Sequence, residues 1–313
     1  MRWSSRSTPS IEHAPSISIV FPMLRLPAES DVLGRLVAWG ESDETVRALV
    51  LTSTRARDDG SADLLSDYDV VVVVPDAATF VSESGWTTAY GPRLVAWGDE
   101  SELLGETTFF NGVVYRDGVK VDYKIWSTNV AERLPELDNL PDNLDVGYRV
   151  LLDKDGVTSR WPRPTFRAHV PSRPTQAEYD AIVEEFWWDT TYVAKALWRG
   201  ELVFAKFALD YDAKLVALRR LLEWRIELDH DWSLQPGAYG RGMERHLPPE
   251  LATELAATYV GVDRDESWDA LFRTTALFRR VATEVGDALG YRYPQDVDDA
   301  MVAHLEAVRA LPR

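Results

Sequence analysis

Near the start of this chain the segment Ser66-Asp67-Tyr68-Asp69 leads into the uninterrupted apolar run Val70 to Val74. Side chains on a strand alternate between its faces, so Asp67 and Asp69 project the same way. Two carboxylates on one face suit a hard divalent cation such as Mg²⁺, which prefers oxygen ligands and keeps phosphate oxygens in its shell. The plain alternative is a pair of solvated acids where a strand begins. A third acid, Asp122, lies in a run where Val119, Val121, Tyr123 and Ile125 alternate with Lys120, Asp122 and Lys124. Either Asp122 is salt-bridged to a lysine on an exposed sheet face, or its strand lies beside the Val70 strand and aims it at the first two acids. Three acids that close repel one another unless cations neutralise them. Upstream, Ser53 and Thr54 fall where the apolar run Val46 to Leu51 gives way to a turn, from which hydroxyls and backbone N–H groups can face a polyphosphate.

The elements that must position these residues follow from periodicity. A helix with an apolar stripe of Val32, Leu33, Leu36, Val37 and Trp39 is expected to be capped by Ser30 and closed by Gly40. Strands are expected at 46–51, 70–74, 94–97, 109–115 and 119–125, the last two joined by an Asp117-Gly118 turn of type I′. Proline-rich stretches at 135–141 and 162–174 read as surface segments, the second as an inter-domain linker. Beyond it, Thr175-x-x-Glu178 is a capping box that opens a helix ending at Gly200. Further helices are expected at 201–228, 249–259, 267–289 and 294–311. The expected fold class is α+β: a mixed sheet flanked by helices over 28–160, a linker over 161–174, and an α-helical bundle over 175–313. Residues 1–27, rich in Ser and Pro, read as an extension outside the fold whose one apolar stretch is too short for a secretory leader.

Composition narrows the function classes. The chain has 313 residues, no cysteine and a formal net charge of −17. Disulfides and thiolate metal sites are excluded, and a reducing cytoplasm is the expected compartment. A negative field repels nucleic-acid phosphates and draws polycations, although acidity alone also serves solubility. No run approaches the length of a membrane span.

The order of small polar pair, loop and Asp-x-Asp resembles the signature of polymerase-beta-like nucleotidyltransferases. Those proteins usually carry Gly then Ser where this chain has Ser53 and Thr54, and Ser has a Cβ that Gly lacks. A more specific likeness comes from Phe186-Trp187-Trp188-Asp189-Thr190-Thr191-Tyr192-Val193-Ala194-Lys195, from Leu197-Trp198-Arg199-Gly200-Glu201-Leu202, and from Ala205-Lys206. With Leu222-Glu223-Trp224, Trp268 to Phe272, Leu289 to Pro294, Ser66 to Val70 and Val121-Asp122-Tyr123, these resemble the aminoglycoside 6-adenylyltransferases, the streptomycin-modifying enzymes. The likeness covers residues 29 to 305.

The resemblance implies transfer of AMP from ATP to an aminoglycoside hydroxyl, with Mg²⁺ required. On that basis Asp67 and Asp69 are expected to hold one ion and Asp69 and Asp122 a second, with Asp122 as general base. Ser53, Thr54 and Arg55 should hold the triphosphate, helped by Lys206 and Lys195, although Lys206 also reads as a lysine whose stem lies along an apolar helix. A guanidinium-bearing acceptor calls for carboxylates and flat aromatic faces: Glu185, Trp188 and Asp189, with Trp86 and Trp97. The expected partners are ATP and a cationic, streptomycin-like aminoglycoside, with no nucleic acid and no membrane, the protein being a monomer or weak dimer. Two other readings stay open: transfer to another antibiotic or a protein side chain, and a non-catalytic nucleotide- or drug-binding protein.

Overall fold

The computed structural model describes residues 26–312, except 84, 235 and 236. The extension expected over 1–27 therefore falls almost wholly outside the described residues. The described residues form two compact units, one running up to residue 140 and over 147–163, the other over 141–146 and from residue 164 onward. No helix among the described residues is long and apolar enough to cross a membrane.

The first unit runs α1 (Glu29–Ser42), β1 (Ala48–Thr52), β2 (Tyr68–Val74), α2 (Ala77–Ser82), β3 (Arg93–Leu103), β4 (Glu106–Tyr115), β5 (Lys120–Ser127), α3 (Thr128–Arg133) and, after the chain visits the second unit, β6 (Tyr148–Asp153). The strands form one mixed sheet in the order β3-β4-β5-β2-β1-β6. Among the described residues only β2 and β5 run parallel. On one face Val70, Val72, Val121, Tyr123 and Ile125 pack under Val32, Leu36 and Trp39 of α1 and Phe80 of α2. The other side chains of β5, including Asp122, point away from this core because a strand alternates its faces.

Three local expectations give way. The cap of α1 is Ala28, with no side-chain hydrogen bond, and Ser30 lies inside the first turn, so α1 begins two residues earlier than the Ser signal suggests. Gly40 does not close α1, which runs on to Ser42; a Cβ at Gly40 would meet Leu49 at 2.6 Å, so it marks close helix-to-strand packing instead. The β4–β5 turn has only Gly118 in the left-handed region, at φ +86°. Tyr115 N–H bonds to Val119 O at 2.8 Å and Gly118 N–H to Tyr115 O at 3.0 Å. A type I′ turn needs two left-handed residues, so this is a three-residue loop closed by one glycine. Strand β6 has no counterpart among the sequence expectations.

The second unit holds α4 (Asp142–Asp145), α5 (Gln176–Arg199), α6 (Leu202–Lys206), a π-helical stretch (Phe207–Leu218), α7 (Arg219–Leu228), α8 (Pro249–Ala257), α9 (Arg264–Leu289) and α10 (Gln295–Ala310). Asp145 accepts N–H groups from Thr165, Arg167 and Ala168, tying the proline-rich segment to α4. Helix α5 opens on the Thr175–Glu178 capping box and ends on Gly200 at φ +78°, as its sequence signals require. The π-helical turns interrupt the helix expected over 201–228. They carry Lys214 into the core, where its Nζ bonds to Asp210 Oδ1 and Thr258 O and lies 4.2 Å from the Tyr259 ring centre.

Candidate active site

The parallel pairing of β2 with β5 sets Asp69 directly beside Asp122. Asp67, just ahead of β2, comes to the same cluster through Lys120. Lys120 Nζ donates to Asp67 Oδ2 at 2.6 Å and to Asp122 Oδ2 at 3.0 Å. Lys124 Nζ lies 3.5 Å from Asp69 Oδ1. Asp122 is thus salt-bridged to a lysine, though enclosed and not exposed as the first reading has it, and is also gathered with the other acids. The interleaved lysines supply the positive charge that three neighbouring carboxylates require.

Burial sets the electrostatics. It pushes the Asp69 carboxyl above its ordinary pKa; the Lys124 ammonium opposes this, and the charges of Asp122 and Asp67 add to it. For Lys120 burial works against the charge, but hydrogen bonds to Asp67 and Asp122 outweigh it and raise its pKa. Asp122 is the most enclosed of the three, its side chain 15% exposed. Its Oδ1 is buried without a hydrogen-bond partner. Facing it across the β4–β5 ladder is Gly112, where a Cβ would come within 2.9 Å of that oxygen. Gly112, lacking a Cβ, therefore lets the Asp122 carboxylate pack closely against β4.

The turn after β1 sits next to these acids because Thr52 pairs with Asp69. Ser53 adopts φ +66°, a left-handed conformation that costs a non-glycine residue about 1–2 kcal/mol. The backbone here takes the shape that the Gly of related signatures would adopt freely, and Ser53 holds it by donating its N–H to Gly147 O at 3.0 Å. Thr54 follows in the same short turn. Arg55 is turned inward. Its guanidinium donates to Ser66 O and Asp63 O, pairs with Glu29 and lies 4.2 Å from the Tyr68 ring centre. It braces the loop that delivers Asp67.

The other expected residues divide between the units. Trp86 is a core residue, 9% exposed, packed on Trp39, Phe80 and Tyr123. It lies on the Tyr123 side of β5, opposite Asp122, because adjacent strand residues face apart. Trp97 is exposed on edge strand β3 against Phe110. In the helical unit Trp188 is 65% exposed and meets Tyr192 edge to face. Lys195 Nζ lies 4.6 Å from the centre of that Tyr192 ring. Glu185 and Asp189 share a face of α5, and Asp189 is pushed up to about 6 by burial and by the charges of Asp212 and Glu185. Lys206 Nζ is committed to Val260 O and Asp210. Sequence reasoning offered a lysine partner for Asp122 but missed that Lys120 also reaches Asp67, that Lys124 reaches Asp69, and the part of Gly112. The period-two alternation already placed both lysines on the face of Asp122.

Among the described residues no group of three His, Cys, Asp or Glu side chains stands ready to hold a metal ion. The donor chemistry nevertheless fits a hard dication: all three acids offer oxygen, and Asp122 Oδ1 is buried with no other use. Lys120 now bridges the oxygens such an ion would take.

The family model described as streptomycin adenylyltransferase matches residues 27–308. An aminoglycoside 6-adenylyltransferase of Bacillus subtilis is 29% identical over 287 residues, 90% of this chain and 98% of its own length. One from Campylobacter jejuni is 29% identical over 272 residues, 85% of this chain and 91% of its own. A crystal structure of an aminoglycoside 6-adenyltransferase from Bacillus subtilis aligns with 91% of this chain and 100% of its own, with 27% identity and a TM-score of 0.45.

Proposed function

The chain belongs to the streptomycin adenylyltransferase family, and from that premise we propose that it moves AMP from ATP to a hydroxyl of a cationic aminoglycoside. The acceptor of this reading is streptomycin at its 6-hydroxyl, with pyrophosphate released and the antibiotic inactivated in the cytoplasm. The observation that carries it is the meeting of Asp67, Asp69 and Asp122 at the parallel β2–β5 pair, with one buried carboxylate oxygen left without a hydrogen-bond partner.

Asp67, Asp69 and Asp122 are the residues that would hold Mg²⁺, which when bound neutralises phosphate charge and acidifies the attacking hydroxyl. Asp122 accepts the hydroxyl proton as general base. The hydroxyl oxygen bonds to the α-phosphorus as the bond from that phosphorus to the pyrophosphate oxygen breaks. Thr54 and the backbone of the Ser53 turn bind phosphate oxygens beside Asp69. On the helical unit, Glu185 and Asp189 pair with the guanidinium groups of the acceptor, and the exposed Trp188 face packs on them.

An acceptor panel with ATP labelled at the α-phosphate tests this reading. Label on streptomycin with release of pyrophosphate is the expected result. Label moving only to a different antibiotic or to protein would replace the acceptor, and no transfer to any acceptor would remove the enzymatic reading.

A further inference from the structure

Resting on the reading above, we infer that Lys120 is a resident counter-ion that occupies the carboxylate site until nucleotide arrives, so that this chain admits its divalent cation with the nucleotide and not before. Its ammonium is within hydrogen-bond distance of Asp67 Oδ2 and Asp122 Oδ2 at once, and these are ligand oxygens of the proposed metal site. An ammonium and a dication cannot share them, because like charges at that separation repel strongly where solvent is partly excluded. Three carboxylates meet two ammonium groups here, leaving the cluster one negative charge from neutrality. A bare cation therefore gains little by entering, since it must first expel a charge that already balances the acids. A triphosphate changes the balance by bringing anionic oxygens that can pair with both the cation and the displaced ammonium.

The surroundings allow the movement. Lys120 lines a cavity of about 440 Å³ bordered by Glu29, Ser66, Asp67, Tyr68 and Val119. Its side chain is 41% exposed, so the ammonium has both room and water to move through. Lysine suits the task because it carries a compact charge on a flexible stem, whereas a guanidinium would fork across both carboxylates and hold them. Lys124 does not share this role, as it reaches only Asp69, at 3.5 Å.

The test titrates the full-length protein with Mn²⁺, followed by loss of the free-ion paramagnetic resonance signal, with and without the unreactive analogue α,β-methylene ATP. The wild type should bind Mn²⁺ weakly alone and much more tightly with the analogue. Lys120→Met should tighten analogue-free Mn²⁺ binding by about tenfold or more and weaken analogue binding, while Lys120→Arg stays near wild type without analogue. Lys120→Gln repeats the measurement if the Met variant does not fold. If wild type and the uncharged variants bind Mn²⁺ equally without analogue, yet all bind it with analogue, the counter-ion role is wrong and the metal site stands. If none binds Mn²⁺ even with analogue, both the role and the site are wrong.

Discussion

Two clusters of acids, one in each unit, are handled in opposite ways. In the sheet unit Asp67, Asp69 and Asp122 are laced with Lys120 and Lys124 from the same strand face. In the helical unit Glu185, Asp189 and Asp212 form no ion pair among the described residues, and Asp189 answers by holding its proton up to about pH 6. The first cluster has its cations built in, an arrangement that the proposed exchange with phosphate and metal would use. The second is left unsatisfied, which is how a surface that takes its cation from a ligand should look.

The largest expected effect breaks the first cluster. Asp69→Asn and Asp122→Asn should each lower adenylyl transfer by at least about 10³-fold, measured as pyrophosphate release. Asp69→Asn should at the same time raise the melting temperature at pH 7.5. The raised pKa of Asp69 means the folded chain holds this proton more tightly than the unfolded one, so stability falls as pH rises from the ordinary carboxylate range through the raised value. Asn removes that cost, and the gain should vanish in acid below both values. A lower melting point at pH 7.5 would instead make the cluster a structural ion network.

Gly112→Ala comes next. A Cβ within 2.9 Å of Asp122 Oδ1 should displace that oxygen, lowering kcat by about 10- to 100-fold with little change in the KM for ATP. Unchanged kcat would mean that Oδ1 is not the oxygen that matters. For the second cluster, Asp189→Asn should raise the KM for a cationic acceptor by about tenfold at pH 7.5. The difference should close as pH falls below about 6, where Asp189 itself takes up a proton. Stability should move the other way, with a melting point higher by about 2–4 °C at pH 7.5 after allowance for solvent screening. The smallest effect is at Ser53, where Ser53→Gly should relieve the left-handed backbone and change stability by no more than about 1 kcal/mol, seen by urea unfolding, with activity kept.

The parts of the fold that could be read in advance are those written in local periodicity. The alternation around Asp122 gave its face, and the Thr175–Glu178 box with Gly200 bounded α5, because capping and alternation depend on neighbours in sequence. What could not be read depends on long-range packing. The Tyr148–Asp153 segment, whose apolar run is only Val150 to Leu152, becomes strand β6 by pairing along the edge that β1 offers it. Trp86 looked like a free aromatic face but fills the gap between Trp39 and Tyr123. Arg55 and Lys206 carry the charge a triphosphate wants, yet both satisfy nearby carbonyls and acids, a choice decided by loops distant in sequence. Most telling, Lys120 and Lys124 stood in plain view on the Asp122 face, and only the parallel register of β2 with β5 turned them from surface charges into partners of the acids.

Intact-mass analysis of streptomycin after incubation with ATP, Mg²⁺ and either the wild type or Asp122→Asn tests the central assignment most directly. The account expects one added adenylyl group with the wild type and unmodified drug with the variant. Streptomycin equally adenylylated by both proteins would contradict the role given to Asp122, and drug left unmodified by the wild type would contradict the reaction itself.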